Sequence, residues 1–335
     1  MLEFLSANTR AVNAERAVLE ALERAYGSAR PGCDLVLVNA AVGHDLSALS
    51  THIRAHCPEA RVLAASCAGV VGRDGPGESL HDIAVMVLRG EGASVAHVDG
   101  LYGATSFEKG AALGRALAAA PQPVTMVYLL ASGIDIANDR VIAGIESVLG
   151  PDVVIFGATS SDQMQGIATF QAVDGDLHQH AAFAIGIWDP TLQVDTQATH
   201  GFIATGDPLV VTAAKGNRII EIDGRPAWPE YLRRMGLPEA ATEADTIPIG
   251  ALAEALPADL AAEYGNDHIL RVVTHHSDAG EIIYATECAP GTPLWLTVRD
   301  EERIFADMDR MMAAMGARSG GRSPIAVFQA DCLAR

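Results

Sequence analysis

The chain has 335 residues, 49% of them apolar, with 23 Lys and Arg against 42 Asp and Glu, a net charge of −19. At about 150 residues per domain this length points to two domains with a large core, and it excludes global disorder. An aromatic content of 5% and the strong negative charge exclude a base-stacking surface, and no basic patch is evident that would hold nucleic acid or anionic lipid.

The first residues carry neither a basic leader nor a long apolar run. The longest uncharged apolar strings, 124–131 and 181–188, are about eight residues against the roughly 20 that a membrane span needs. Cys33, Cys57, Cys67, Cys288 and Cys332 include no CxxC pair, and this odd, scattered set reads as reduced thiols in a cytoplasmic protein.

In chain order, the three- and four-residue spacing of Val12, Val18, Leu19, Leu22 and Tyr26 predicts a helix over 8–26, stopped by Gly27. The apolar run 35–39 predicts a strand buried on both faces. A helix over 46–55 and a strand over 62–65 follow, the strand ending in the small-residue loop from Ser66 through Cys67 to Gly69. Segments 83–88 and 94–98 read as a strand pair. A helix over 105–120 opens with a capping box from Thr105 to Glu108. A buried strand at 124–130, a helix at 138–149 and a strand at 153–156 lead to a second small-residue loop, Gly157 to Asp162. Strand alternating with helix predicts a parallel or mixed α/β sheet. Segments 58–66 and 151–159 share one pattern: a proline, an apolar strand, small residues, a hydroxyl. They read as copies of an internal duplication.

From residue 169 the texture turns to β, with strands expected at 169–172, 182–188, 193–199, 209–213 and 218–222, and turns at Asp174-Gly175 and Gly216-Asn217. A helix is expected at 229–235. Residues 237–267 hold seven acidic residues and no Lys or Arg, a pattern that reads as a solvated face. Strands at 269–274, 282–286 and 293–298, a Met-rich helix at 301–315, a loop at 319–323 and a last buried strand at 325–328 complete the chain.

The two loops, Ser66–Gly69 and 157–162, are the first candidates for chemistry. In open α/β sheets ligands bind beyond the carboxyl ends of parallel strands, where loop N–H groups are free. Gly69 and Gly157 allow close approach, Ser66, Thr159 and Ser160 donate and accept, and Asp162 can hold an ammonium or order its loop. The alternative is tight packing of small residues. Cys67 is the best-placed nucleophile, although sequence assigns it no base. Among the histidines, His178/His180 and His275/His276 are the close pairs, with no third ligand at useful spacing, so no metal site is expected. A haem needs only one axial His in an apolar pocket, and His200 is the most suggestive. P-loop, GxGxxG and GxSxG motifs are absent.

Residues 204–227 are similar to the junction of the FIST N and FIST C domains, a family of bacterial signal-sensing modules. Gly201-Phe202, Gly206, Val211-Thr212, Gly216-Asn217 and the run from Glu221 to Ala227 fit its wording. Residues 64–71 resemble the family's Gly-Cys-Ser-Thr-Ala-Gly-Glu-Ile, and 157–162 its Gly-Gly-x-x-x-Asp, followed by Thr169-Phe170. The end, Phe328 through Cys332 to Arg335, resembles its Phe-x-Cys-x-x-Arg. Ala64-Ala65, Val70 and Ala158 depart from the pattern, and Val70 removes a Glu that an amine ligand could contact.

The resemblance implies an α/β fold, with α+β character in the second half: two related mixed-sheet units with a ligand cleft between them. It implies a FIST N-like domain over 1–200 and a FIST C-like domain over 201–335, the latter short at its C-terminus. The implied function is non-enzymatic sensing of a small ligand, an amino acid or small acid. The ligand would contact Ser66, Cys67, Gly69, Gly157, Thr159, Ser160, Asp162 and Cys332, with Arg335 as anion clamp. The signal would pass to a partner such as a histidine kinase or a cyclic-di-GMP enzyme. No cofactor is expected. The alternatives are a haem-binding nitric oxide sensor, a Cys67-dependent hydrolase or acyltransferase, and an interaction module built on the acidic segment.

Overall fold

The computed structural model describes residues 2–27, 32–163 and 165–332. The chain divides into two compact units. One comprises Met1–Ile134, Arg140–Val194 and Ile325–Ala330, the other Asp135–Asp139, Asp195–Pro324 and Asp331–Arg335.

The first unit opens with β1 (Glu3–Thr9), α1 (Ala14–Tyr26), β2 (Leu35–Ala41), α2 (Leu46–His56), β3 (Arg61–Cys67), a hairpin of β4 (Val70–Gly72) and β5 (Gly75–Gly77), and β6 (Ile83–Arg89). The same succession then recurs. It runs β7 (Ala93–Val98), α3 (Ser106–Leu117), β8 (Met126–Ala131), α4 (Asn138–Leu149), β9 (Val154–Thr159), a hairpin of β10 (Gln171–Val173) and β11 (Asp176–His178), and β12 (Ala182–Ile187).

One sheet has the order β1-β6-β2-β3, extended by β10 and β11; the other has the order β7-β12-β8-β9. In both, the β2–β3 and β8–β9 pairs are parallel and the pairs before them antiparallel. Registers also match: Leu35, the first residue of β2, pairs with Arg61, and Met126, the first of β8, pairs with Val154. Segments 58–66 and 151–159 therefore hold the same place in two related mixed-sheet halves.

Strand alternation sorts the core. Val36, Val38, Val62, Ala64, Val85 and Val87 face α1 and α2, while Leu35, Leu37, Leu63, Ala65 and Leu88 meet Met126, Tyr128, Leu130, Phe183, Ile185 and Ile187 of the other sheet. Helix α3 packs on β7 and β12. The layers run helices, sheet, sheet, helices.

Several sequence expectations are corrected. Helix α1 starts at Ala14, because Asn8 belongs to β1 and Asn13 is the cap, its side chain accepting from Arg16 N at 3.0 Å. Thr105 forms no capping box with Glu108. Its hydroxyl accepts from Tyr102 N (2.9 Å) and donates to Gly100 O (2.8 Å), shaping a single 3₁₀ turn before α3. Strands β6 and β7 lie in different sheets rather than pairing. No strand forms at 193–199. Residues 325–328 are not a buried strand: Ile325 and Val327 are exposed, and Phe328 alone packs, on Phe4, Tyr128 and Phe156. Nor are all five cysteines reduced. Cys33 and Cys57, with Cα atoms 6.2 Å apart beneath α1, form a disulfide. Cys67, Cys288 and Cys332 are free.

The second unit contains β13 (Phe202–Lys215), β14 (Arg218–Ile222), β15 (Arg225–Pro226), α5 (Ala227–Met235), α6 (Glu243–Thr246), β16 (Leu252–Ala255) and α7 (Ala258–Tyr264). After these come β17 (His268–Arg271), β18 (His275–His276), β19 (Ile282–Ile283), β20 (Pro293–Arg299) and α8 (Glu301–Arg318). Its antiparallel sheet has the order β17-β16-β20-β13-β14-β19-β18, with β15 on β14. The core gathers Leu209, Val211, Ile219, Trp228, Tyr231 and Tyr284. The acidic segment is not simply a solvated face, since β16 buries Leu252 and Ala253 completely. Among the described residues no helix is long and apolar enough to cross a membrane.

Candidate functional site

In the first unit β2 and β3 end at Ala41 and Cys67, and β8 and β9 end at Ala131 and Thr159. The two small-residue loops leave these ends, and the fold joins them: Ser161 N donates to Ser66 O at 2.9 Å. Ser66 is buried, and its backbone N–H donates to Phe170 O at 2.9 Å while its hydroxyl accepts from Phe170 N at 3.0 Å. Ser160, also buried, accepts from Gln171 Nε2 at 2.7 Å. Beside it Ser132 Oγ and Thr169 Oγ1 lie 3.2 Å apart, and Thr169 Oγ1 accepts from Gly133 N at 3.1 Å. These contacts make a buried seam of hydroxyls and amides. A buried polar atom left unpaired costs of the order of 1–3 kcal/mol, and one stands here: Gln171 is 1% exposed, and its Oε1 has no partner among the described residues.

Asp162 orders its loop. Its carboxylate accepts from Gly166 N (3.1 Å), Ile167 N (2.7 Å) and Ala168 N (3.1 Å). Asn39 and Cys67 lie on the strand face that meets the second sheet, at alternate positions from Leu37 and Ala65. Burial pushes the Tyr128 hydroxyl up to about 12, with the side chain of Asn39 hydrogen-bonded to it and opposing that rise. Burial likewise pushes the Cys67 thiol up to about 12, against the hydrogen bond from the Gly69 backbone. That environment opposes the thiolate a nucleophile needs.

Other expected site residues have packing roles or lie elsewhere. A Cβ on Gly157 would sit 1.8 Å from Leu129 O, and one on Gly69 would sit 2.8 Å from Gly77 O, so both glycines answer close backbone approach. Thr159 is exposed. Cys332 is an exposed thiol grouped with the second unit, and Arg335 lies outside the described residues. His200 uses both ring nitrogens: Nε2 is 2.8 Å from His268 O, and Nδ1 accepts from Phe202 N at 3.3 Å. Burial holds its pKa below the usual histidine range. An iron ligand there would displace one of these bonds.

Ser132, Thr169 and Gln171 were not legible as site residues. The one hint is the glutamine that opens the otherwise apolar strand β10. Four arginines were also missed. An open depression of about 770 Å³ is lined by residues including Arg10, Arg16 and Arg24, and a second of about 500 Å³ by Arg24 and Arg73. Arg10, Arg16 and Arg24 each pair with a carboxylate, on Asp82, Glu20 and Asp74.

Comparison with known proteins adds three findings. The family model described as the FIST N domain matches residues 34–225. No curated protein matches the chain. Among solved structures, a cyanuric acid hydrolase from A. caulinodans is similar over 56% of this chain and 72% of its own, at 15% identity and a TM-score of 0.30.

Proposed function

The chain belongs to the FIST family, and from that premise we propose that it is a sensory protein that binds a small polar ligand where the two loops meet. The observation that carries this reading is the unpaired, buried Oε1 of Gln171 within the seam of Ser66, Ser132, Ser160 and Thr169. A ligand N–H or O–H would satisfy that acceptor, and an amino acid or a small hydroxy acid has such a donor. The adjoining hydroxyls can accept or donate to the rest of the molecule. The seam ties β3, β9 and β10 together, so occupancy there would stiffen both sheets at once. A stiffened surface is what a partner such as a histidine kinase or a cyclic-di-GMP enzyme would read.

The reading extends to a FIST C-like region over 201–335. The FIST N match itself runs past the expected boundary at 200, to residue 225, so the FIST C-like reading rests on the motif residues alone. The motif residues Gly216-Asn217 form the β13–β14 turn, and the run from Glu221 to Ala227 carries β14 through β15 into α5.

A thermal-shift screen of amino acids and small carboxylic acids tests the proposal. At about millimolar ligand, at least one compound raises the melting temperature by a few degrees. Gln171→Leu abolishes that rise while circular dichroism stays native. No stabilising compound, or a rise retained in Gln171→Leu, overturns the assignment. A rise lost instead in Arg73→Ala moves the site to the arginine-lined depressions.

A further inference from the structure

We propose that His97, Asp99 and His178 form a site for one divalent transition-metal ion of the Zn²⁺ class. His178 has a histidine neighbour two residues on, but sequence spacing supplies no third ligand. The fold does. His97 lies on β7, the edge of one sheet, with Asp99 just beyond it, and His178 ends β11, the edge of the other.

One ligand atom from each residue comes within 4.8 Å of the other two. His178 Nδ1 is 2.8 Å from Asp99 Oδ1, and the rings of His97 and His178 have centroids 5.6 Å apart. Ligand bonds of about 2.0–2.2 Å in a tetrahedral site place donor atoms roughly 3.3 Å from one another. The remaining contraction falls within side-chain rotation, because His97 and Asp99 are exposed. A cation bound there replaces the direct contact between His178 Nδ1 and Asp99 Oδ1.

Two imidazoles and one carboxylate are the donor set of open zinc centres with a fourth position for water or a ligand. A simple ion pair would need only His178 and Asp99. The second imidazole beside them is what the metal reading explains. The site is accessible to solvent, so an entry path exists. The site is separate from the Gln171 seam in its donors, although His178 and Gln171 are cross-strand partners in the β10–β11 hairpin.

The test uses the untagged full chain, stripped with chelator and titrated with ZnCl₂ by calorimetry, with Co²⁺ absorption as a second readout. One equivalent binds, and His97→Ala and Asp99→Asn each weaken binding at least about tenfold. His178→Ala does the same, while His275→Ala, at the other histidine pair, leaves it unchanged. The two exposed positions carry the test should His178→Ala fail to fold. Absence of binding at about 100 μM free Zn²⁺ overturns the proposal, as does wild-type affinity in His97→Ala and Asp99→Asn. Loss of binding in His275→Ala alone overturns it too.

Discussion

At the residue scale, burial decides what each candidate side chain can do. Cys67 was the best-placed nucleophile by position, at the end of a strand in a loop of small residues. The fold turns it toward the second sheet, and desolvation pushes its thiol up to about 12. A thiol at that value is about one part in 10⁴ thiolate at pH 8. Limited alkylation at pH 8 with peptide mapping is therefore expected to label exposed Cys332 first and Cys67 much more slowly; equal rates would contradict the burial argument. The same lesson holds for the hydroxyls. That Ser66 and Ser160 sit at strand ends was legible, because apolar runs followed by small residues mark buried strands and their exits. Their hydrogen bonds to Phe170 and Gln171 were not, because those partners lie in a later hairpin that local pattern cannot place.

At the element scale, the duplication was legible and its consequences only partly so. The repeated proline, strand and hydroxyl mark β3 and β9, whose registers agree. The residues 3–9 were missed as a strand: β1 pairs on one side only, with β6, and its half-exposed pattern blends into the approach to α1. Residues 325–328 failed in the opposite direction, since an apolar run without a partner strand leaves Ile325 and Val327 exposed. The helices of the second repeat show how tightly the layers are set. A Cβ on Gly144 would fall 2.3 Å from Phe107 O, and one on Gly110 would fall 2.1 Å from Val141 O. Backbone cannot yield as a flexible side chain can, so Gly144→Ala is expected to cost about 1–3 kcal/mol despite the better helix propensity of alanine. Urea unfolding reads this as a lower midpoint at unchanged slope; a midpoint at or above wild type would mean that α3 and α4 are not in contact.

At the scale of the whole molecule, the net charge of −19 and two specific carboxylates pull in opposite directions only down to the pI near 4.8; below it they act together. From pH 7 to the pI near 4.8 protonation of carboxylates weakens the general repulsion, which favours the compact state; below the pI the net charge turns positive and the repulsion grows again. Each unit, however, holds a carboxylate whose charged form the fold stabilises. In the first, the Thr191 hydroxyl, then the backbone N–H groups of Thr191 and Leu2, hold Asp189 down at about 2. In the second, the Arg233 guanidinium, with Arg234 and Arg225 beside it, holds Glu230 down at about 2 against the effect of burial. A depressed folded pKa contributes stability that is fully present above the unfolded value, near 4, and is lost as pH falls through the folded value. The Asp189→Asn, Glu230→Gln double variant should therefore be less stable than wild type at pH 7. That deficit should shrink steadily between about pH 4.5 and pH 2, because wild type alone loses the contribution there. Urea midpoints at pH 7, 4 and 2.5 measure it. A deficit that stays constant across that range would show that neither carboxylate is held in its charged form by its partners, and that acid sensitivity arises from the diffuse charge alone.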